Sequence, residues 1–256
     1  MGRLSGPLLE KTDLVAATLL LRHKRFLAEV RLVDGTETTA HCTNTGTMKS
    51  CWEPGDLVLL ERSEKPGRKL AYTWLACRRA GAWIGVDTGV PNRVVAAAAR
   101  RDMLPGLPGL HSVRTEARYG EENSRIDVVA LDAGGRPVFI EVKNTTLRAG
   151  SVGSFPDAVT ERGAKHLREL QRVVRQGDRA AIAFFVHRPD VTAFSAAEAI
   201  DPRYAEELDR AAEAGVEVLP LRVAMQAGEN PDGSWSLAWS LPGLLPWVRS
   251  QPPGGL

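Results

Sequence analysis

The sequence is short of cysteine, of long apolar runs and of net charge, and each shortage excludes a class of protein. Its three cysteines, Cys42, Cys51 and Cys77, form no C-x-x-C pair, which argues against a zinc site or a disulfide framework and favours reduced thiols in the cytoplasm. It contains no run of about 18 apolar residues, and residues 1–7 resemble no signal peptide. We therefore expect a cytoplasmic protein without a membrane segment.

The charges are nearly balanced overall, with 33 Lys and Arg against 31 Asp and Glu, but they are unevenly distributed. Residues 1–80 hold 13 basic and 9 acidic residues, whereas residues 190–233 hold 3 and 10. A basic first part and an acidic later segment favour a localised surface for a polyanion, although charge runs are more often simply solvated.

The first third of the chain has the pattern of short strands separated by glycine-rich turns. Five such strands favour a small closed barrel, and an OB-like β-barrel over residues 1–84 is our first choice. The strands are predicted at residues 14–21, 26–33, 36–42, 56–61 and 70–78.

The next part mixes helical and strand patterns. It predicts an α/β domain with a central mixed sheet over residues 85–226, followed by an extension over 227–256 where Pro and Gly recur and residues 251–256 are disordered. Helices are predicted at residues 92–103, about 157–175 and 203–214, and strands at 112–119, 125–131, 138–144, 180–186 and 216–223.

Two of these strands carry Asp127 and the triplet Glu141-Val142-Lys143. Carboxylates are the hard oxygen ligands that Mg²⁺ or Mn²⁺ prefers, and a lysine can stabilise charge on a phosphodiester under attack. An E-x-K triplet alone is more often a solvated strand face. The apolar runs around it suit buried strands instead, in which charges need partners or a metal.

The turn between these strands decides whether the three side chains can meet, because residues alternate faces along a strand. A two-residue loop, Gly134-Gly135, would separate Asp127 from Glu141 and Lys143. A three-residue loop, residues 134–136, would place Asp127 opposite Lys143 and diagonal to Glu141. The metal-site hypothesis therefore requires an odd or bulged loop.

Several motif segments occur together in one order along the chain: residues 22–28, 41–48, 119–120, 124–127, 140–143 and 155–163. As a set, they resemble the sugar fermentation stimulation protein A family over nearly the whole chain. The resemblance implies an OB-like domain, a restriction-endonuclease-like domain of the PD-(D/E)XK nuclease superfamily, non-specific DNA binding and a role in regulating sugar metabolism.

The same resemblance places Asp127, Glu141 and Lys143 on the acidic and lysine positions of that superfamily, with Asp127 and Glu141 as metal ligands. Ile126 stands where a proline often precedes the aspartate. Glu116 is a candidate additional acid, although its sequence context is a strand, whereas many relatives carry that acid on the first helix.

Several basic or polar residues are candidates for contacting nucleic acid. On the long helix they could hold the scissile phosphate, and near the first turn they could grip phosphates or, through Phe26, stack a base. The alternative for the helix is a solvated face, and the alternative for Phe26 is burial in the barrel, which we favour. Five other residues are also assigned to the core: His41, Cys42, Trp52, Trp74 and Trp83. The candidates are Arg22, Lys24, Arg25, Asn44, Arg125, Arg162, Lys165 and His166.

Three function classes remain open: a DNA-binding protein without catalysis, a Mg²⁺-dependent nuclease, and a non-catalytic OB-type adaptor that binds RNA or protein. DNA binding is common to the first two. Carboxylates repel phosphate unless a cation intervenes, so nuclease activity is a live hypothesis.

Overall fold

The computed structural model of the protein describes residues 6–119 and 124–249; Gly120 and the predicted disorder at residues 251–256 lie outside these ranges. The strands are β1 (Leu9–His23), β2 (Leu27–Leu32), β3 (Glu37–His41), β4 (Leu57–Arg62), β5 (Tyr72–Arg79), β6 (Ala82–Gly85), β7 (His111–Tyr119), β8 (Ser124–Leu131), β9 (Pro137–Thr145), β10 (Leu147–Ala149), β11 (Val152–Phe155), β12 (Arg179–Val186), β13 (Ala193–Ala196), β14 (Glu217–Glu229) and β15 (Trp235–Leu244), and the helices are α1 (Val90–Arg100), α2 (Glu161–Arg175) and α3 (Pro202–Glu213).

The first five strands close a ring, which confirms the predicted OB-like barrel. β1 pairs with both β2 and β4, β3 pairs in parallel with β5, and the remaining pairs are antiparallel. The ring encloses a separate apolar core that includes all three cysteines, each of them a free and buried thiol. Trp74 is fully buried in this core, and Trp52 is half-buried at its margin. Trp83 is also half-buried, but it packs outside the barrel core, against Trp235 of β15.

Phe26 does not belong to that core, so its assignment to the barrel interior was wrong. It is 45% exposed, directly after Lys24 and Arg25, whose φ angles of 49° and 66° are left-handed. The barrel interior is filled instead by Ala28 and Val30 of β2. The tight turn carries the Phe26 side chain outward before the strand alternation begins.

The second domain is built on a mixed sheet, as predicted, with the strand order β15-β14-β12-β9-β8-β7. β9, β12 and β14 are parallel, and the flanking pairs are antiparallel. α1 packs on one face, with its start set by Pro91 in the first turn. α2 and α3 pack on the other face, where Thr160 and Asp201 accept hydrogen bonds from the backbone N–H of Gly163 and Tyr204.

The last strand joins the two domains, and the sequence did not indicate it. The region after residue 226 was predicted as an extension, but β15 pairs with β14 and with the first part of β1, where Leu9 lies opposite Trp239 and Leu14 opposite Trp235. β1 therefore contributes to both sheets, which form one continuous twelve-stranded sheet. Pro and Gly within β15 and the polar start of β1 had concealed the pairing.

The hairpin between β8 and β9 has the odd loop that the metal-site hypothesis requires. Asp132 pairs with Arg136 through the backbone (2.9 Å), so the loop is Ala133–Gly135 and not residues 134–136. The Asp132 carboxylate accepts hydrogen bonds from the N–H groups of Gly134 and Arg136, both at 3.0 Å, and Gly135 has a φ of 79°. The odd number of residues in the loop was predicted correctly, but the predicted position of the loop was wrong by one residue.

A small three-stranded sheet, β10-β11-β13, lies beside the second domain, and the sequence did not predict it. Within residues 6–119 and 124–249, every helix is too short or too polar to cross a membrane.

Candidate metal centre

Asp127 lies at the point where β8 and β9 separate. The ladder pairs Val128 with Ile140, so the same register would set Asp127 opposite Glu141, and its predicted place opposite Lys143 was wrong. Beyond Ile140 the Val142 N–H donates to Asp127 Oδ2 (2.7 Å) instead of to a backbone carbonyl of β8. Burial and the nearby charge of Glu141 raise the pKa of Asp127 to about 6.

Glu141 is the most enclosed acid of the site, at 3% exposure. Its Oε1 accepts hydrogen bonds from Lys143 Nζ (2.7 Å) and from the ring of His166. Burial by itself would raise the pKa of Glu141, but the His166 hydrogen bond and the Lys143 charge outweigh it and hold that pKa below its ordinary value. Its Oε2 is buried and has no hydrogen-bond partner, although a buried acceptor usually has one.

His166 was predicted on an exposed basic stripe, but α2 directs it inward against Glu141, and it is 8% exposed. Its Nδ1 contacts Glu141 Oε1 and lies 3.3 Å from Lys143 Nζ, and its Nε2 accepts from Arg162 Nε (3.3 Å). Arg162, one turn earlier, is exposed. The sequence spacing placed both on one helix, but helical phase alone did not tell the buried member from the exposed one.

A cleft of about 490 Å³ opens beside Asp127, between α1 and β7. Glu116 lines it, on a strand as predicted, and the neighbouring pairs Thr115–Val128 and Ala117–Ile126 bracket Glu116 and Asp127 as cross-strand neighbours. Glu116 is exposed and has a left-handed φ of 53°. The structure thus brings Glu116 to the same cleft as Asp127.

Asn92 of α1 also reaches this site, and the sequence analysis missed it. Its Nδ2 donates to Asp127 Oδ1 at 2.7 Å, so both oxygens of that carboxylate are held. The resemblance implied an acid on the first helix in many relatives, and in this chain that helix supplies the amide of Asn92.

The donor set fits a hard divalent cation. It offers the carboxylates of Asp127 and Glu141, with Glu116 nearby, and no soft ligand. The unpartnered Oε2 of Glu141 is the kind of buried acceptor that a cation satisfies. Within the described part of the chain, no group of three or more His, Cys, Asp and Glu side chains is preformed for a metal, so bound water or substrate oxygens would complete the coordination.

The residues predicted to contact nucleic acid fall into two groups, those with exposed side chains and those whose side chains are partly or fully buried. Lys24 and Arg25 are exposed on the first turn of the barrel, and Arg125 is exposed two residues before Asp127. Arg22 is half-buried, and its Nη2 donates to the carbonyl oxygens of Arg25, Asn44 and Gly46 at 2.7, 2.8 and 2.9 Å.

Arg22 therefore ties two barrel loops together. Asn44 is 7% exposed, and its Oδ1 accepts from the Gly46 N–H (2.9 Å). Lys165, on α2, lies 3.9 Å from Glu169.

Two of the motif segments meet at the domain junction. Asp157 Oδ2 accepts from the Thr47 N–H at 2.7 Å, and a Cβ at Gly46 would come within 2.1 Å of that oxygen. Only glycine allows this approach. The contact fixes the barrel loop against the segment that leads into α2, and so against the site.

These features define a two-domain protein in which an OB barrel is joined, through a shared strand, to a mixed α/β domain bearing an acid-and-lysine site. Residues 20–86 match the family described as SfsA N-terminal OB domain, and residues 89–229 match the family described as Sugar fermentation stimulation protein RE domain. The chain belongs to the sugar fermentation stimulation protein (SfsA) family.

Relatives extend this similarity over most of the chain. The sugar fermentation stimulation protein homolog of Geobacter metallireducens is 50% identical over 218 residues, covering 85% of this chain and 94% of the relative. The homolog of Gloeobacter violaceus is 47% identical over 215 residues, covering 84% and 91%. Among solved structures, Pyrococcus furiosus SfsA in complex with Ca²⁺ superposes with a TM-score of 0.78 at 30% identity, covering 95% of this chain and all of the other.

Proposed function

We propose that the protein binds DNA without sequence preference and cleaves its phosphodiester bonds with a divalent metal held by Asp127 and Glu141. The observation that carries the proposal is Glu141: a buried carboxylate with one oxygen held by Lys143 and His166 and the other without a partner. A buried carboxylate oxygen without a partner is costly, and a bound cation would satisfy it.

Each side chain has a role that its geometry supports. Asp127, fixed by Asn92 and the Val142 N–H, presents hard oxygens from β8. A bound Mg²⁺ or Mn²⁺ would supply Lewis acidity and a water of lowered pKa. His166 keeps Glu141 oriented, and Lys143 provides a positive charge beside the reacting phosphate.

We assign nucleic-acid binding to cations around the site. The residues that would contact the phosphate backbone of the nucleic acid are the exposed Lys24, Arg25, Arg125 and Arg162, with the half-buried Lys165 beside them. Arg22 and Asn44 serve by shaping the barrel loop. Glu116 would be an additional acid at the cleft. The complex of the P. furiosus relative with Ca²⁺ supports a hard-cation site here, and the family name supports a link to sugar metabolism. We place the protein and its DNA binding in the cytoplasm.

The test incubates the protein with short single-stranded DNA, duplex DNA and RNA, in Mg²⁺, Mn²⁺ or chelator. Wild type is expected to cleave only with metal, and Asp127→Ala and Lys143→Ala are expected to reduce cleavage at least about 100-fold, as for removal of a group that stabilises developing charge. Asp178→Ala, which removes a half-buried carboxylate after α2, is the matched control.

Other outcomes separate the remaining classes. Binding with a steep salt dependence but no cleavage in any metal would establish a DNA-binding protein without catalysis. Failure to bind any of the three nucleic acids would overturn both and leave the OB-type adaptor.

A further inference from the structure

α1 carries two arginines that nothing above assigns a role. Arg93 and Arg100 are seven residues apart, so they lie on one face of the helix, about 10.5 Å apart along its axis at 1.5 Å per residue. Ala96 and Ala97 lie between them. Two long cations therefore flank a pair of the smallest side chains.

This face of α1 forms one wall of the cleft that ends at the candidate metal centre. Arg93, Ala96, Ala97 and Arg100 all line it, and Glu116 and Asp127 line its opposite side. Because the alanines project little, a chain-like ligand can lie close against the helix here. The cleft, of about 490 Å³, has the size of a small-molecule pocket and can hold a short stretch of backbone.

The two arginines are also free to bind. Both are exposed, and within residues 6–119 and 124–249 neither makes a side-chain hydrogen bond or an ion pair. The next residue differs, because Arg101 Nη1 donates to the Pro7 carbonyl (2.8 Å). Exposed arginines without protein partners, pointing into a cleft beside two acids, have the chemistry that recognises phosphate.

Resting on the proposed function, we propose that this cleft is the track that guides one polynucleotide backbone to the metal centre, with phosphates contacting Arg93 and Arg100. The arginines offset the repulsion that Glu116 and Asp127 exert on a phosphate chain. They also set the direction in which the strand passes the site, along α1 and not only across the barrel.

The experiment measures binding of fluorescent single-stranded and duplex DNA, in chelator, over a series of salt concentrations. The variants are Arg93→Ala/Arg100→Ala and Arg93→Lys/Arg100→Lys. The control is Arg78→Ala/Arg175→Ala, which removes two exposed arginines outside the cleft and changes the net charge equally. Thermal unfolding checks that all variants fold.

Two lost phosphate contacts lower the salt slope by about 1.4 for single strands and about 1.8 for duplex, and weaken binding about 10- to 100-fold near 50 mM salt. The control should keep the wild-type slope, and the lysine variant should restore it. Equal losses of affinity in the control and in the cleft variant would show that only the net charge of the protein matters, and this would overturn the track.

The two proposals can fail separately. Wild type that binds and cleaves, with the cleft variant unchanged, overturns the track and leaves the nuclease standing. A cleft variant that loses binding in an otherwise non-cleaving protein supports the track and overturns the nuclease. Wild type that binds no nucleic acid overturns both.

Discussion

At the scale of single residues, the site depends on one buried carboxylate. Glu141 keeps its charge because His166 and Lys143 both meet the same oxygen, Oε1. Its other oxygen, Oε2, is buried without a hydrogen-bond partner. The two partners therefore act on the charge of Glu141 without occupying its free oxygen.

Replacing His166 by Phe is expected to lower the free energy of unfolding at neutral pH by about 2–4 kcal/mol, because the buried Glu141 loses a charge-assisted partner. His166→Gln, whose amide can still donate, should recover part of the loss. Urea unfolding measures both.

Arg168→Ala is the control on the same helix, since its contact with Glu207 is long (3.6 Å) and exposed, and it should change stability by less than about 1 kcal/mol. Equal losses for His166→Phe and Arg168→Ala would show that His166 does not support Glu141.

Metal binding is expected to weaken as the pH falls through about 6, because burial and Glu141 raise the pKa of Asp127 to about 6. A proton on Asp127 competes with the cation, so affinity is full above that pH and falls below it. Calorimetric titration with Ca²⁺ measures the affinity between about pH 5 and pH 8, a range that includes this pKa.

Asp127→Asn should bind weakly at every pH in that series. Wild-type affinity that does not change across the series would contradict the role of Asp127 as a ligand.

Sequence reasoning identified the acids of this site but not their surroundings. Asp127, Glu141 and Lys143 are recognisable because ligand chemistry restricts residue type. Asn92 was missed because an amide on a helix has many ordinary roles. His166 was misplaced because burial of one face depends on what the helix packs against.

At the scale of secondary-structure elements, the junction between β6 and β12 holds the domains in contact. The Gly85 N–H donates to the His187 carbonyl (2.9 Å), and a Cβ at Gly85 would lie 1.8 Å from the His187 ring. The strand can approach only because residue 85 has no side chain.

Gly85→Ala is expected to cost about 1–3 kcal/mol of unfolding free energy through overpacking against His187. Gly228→Ala is the matched control, since nothing lies within 4 Å of its added Cβ, and it should stay within about 0.5 kcal/mol of wild type. Chemical denaturation compares the two, and a Gly85→Ala protein as stable as the control would contradict the close approach.

Regular elements were predictable where apolar periodicity was strong, as for α2 and β12. The odd parity of the β8–β9 loop followed from the requirement that acids share a site. Its position did not, because the Asp132 carboxylate caps the turn and such local side-chain chemistry competes with the glycine pattern.

At the scale of the whole molecule, His187 links the barrel, through the Gly85 N–H, to β15, through Trp239. Its ring is fully buried, and Nε2 accepts from Trp239 Nε1 at 2.8 Å. Burial lowers the pKa of His187 from 6.5 to about 3.

Stability is therefore expected to fall as the pH drops from about 6.5 toward 3. In that window the unfolded state binds a proton at His187 and the folded state does not, so the free energy of unfolding decreases, by on the order of 4–5 kcal/mol at the lower end. His187→Gln cannot titrate, but its carbonyl can still accept from Trp239. Its stability curve should decline less steeply than that of wild type, and parallel curves would contradict the prediction.

The overall arrangement was the least predictable part. The barrel and the mixed sheet could each be inferred from local patterns, but their union could not. It depends on the pairing of residues 9–14 with residues 235–239, two segments that are distant in sequence.

That pairing also imposes an order on biosynthesis. β1 leaves the ribosome first, and its later half can close the barrel as soon as β2 to β5 emerge. Its first half has to wait, with its backbone groups hydrogen-bonded only to water, until β15, the last of the described strands, is made. A nascent chain stalled before that point would present an open strand edge, which is the feature that chaperones shield and that drives aggregation when left exposed.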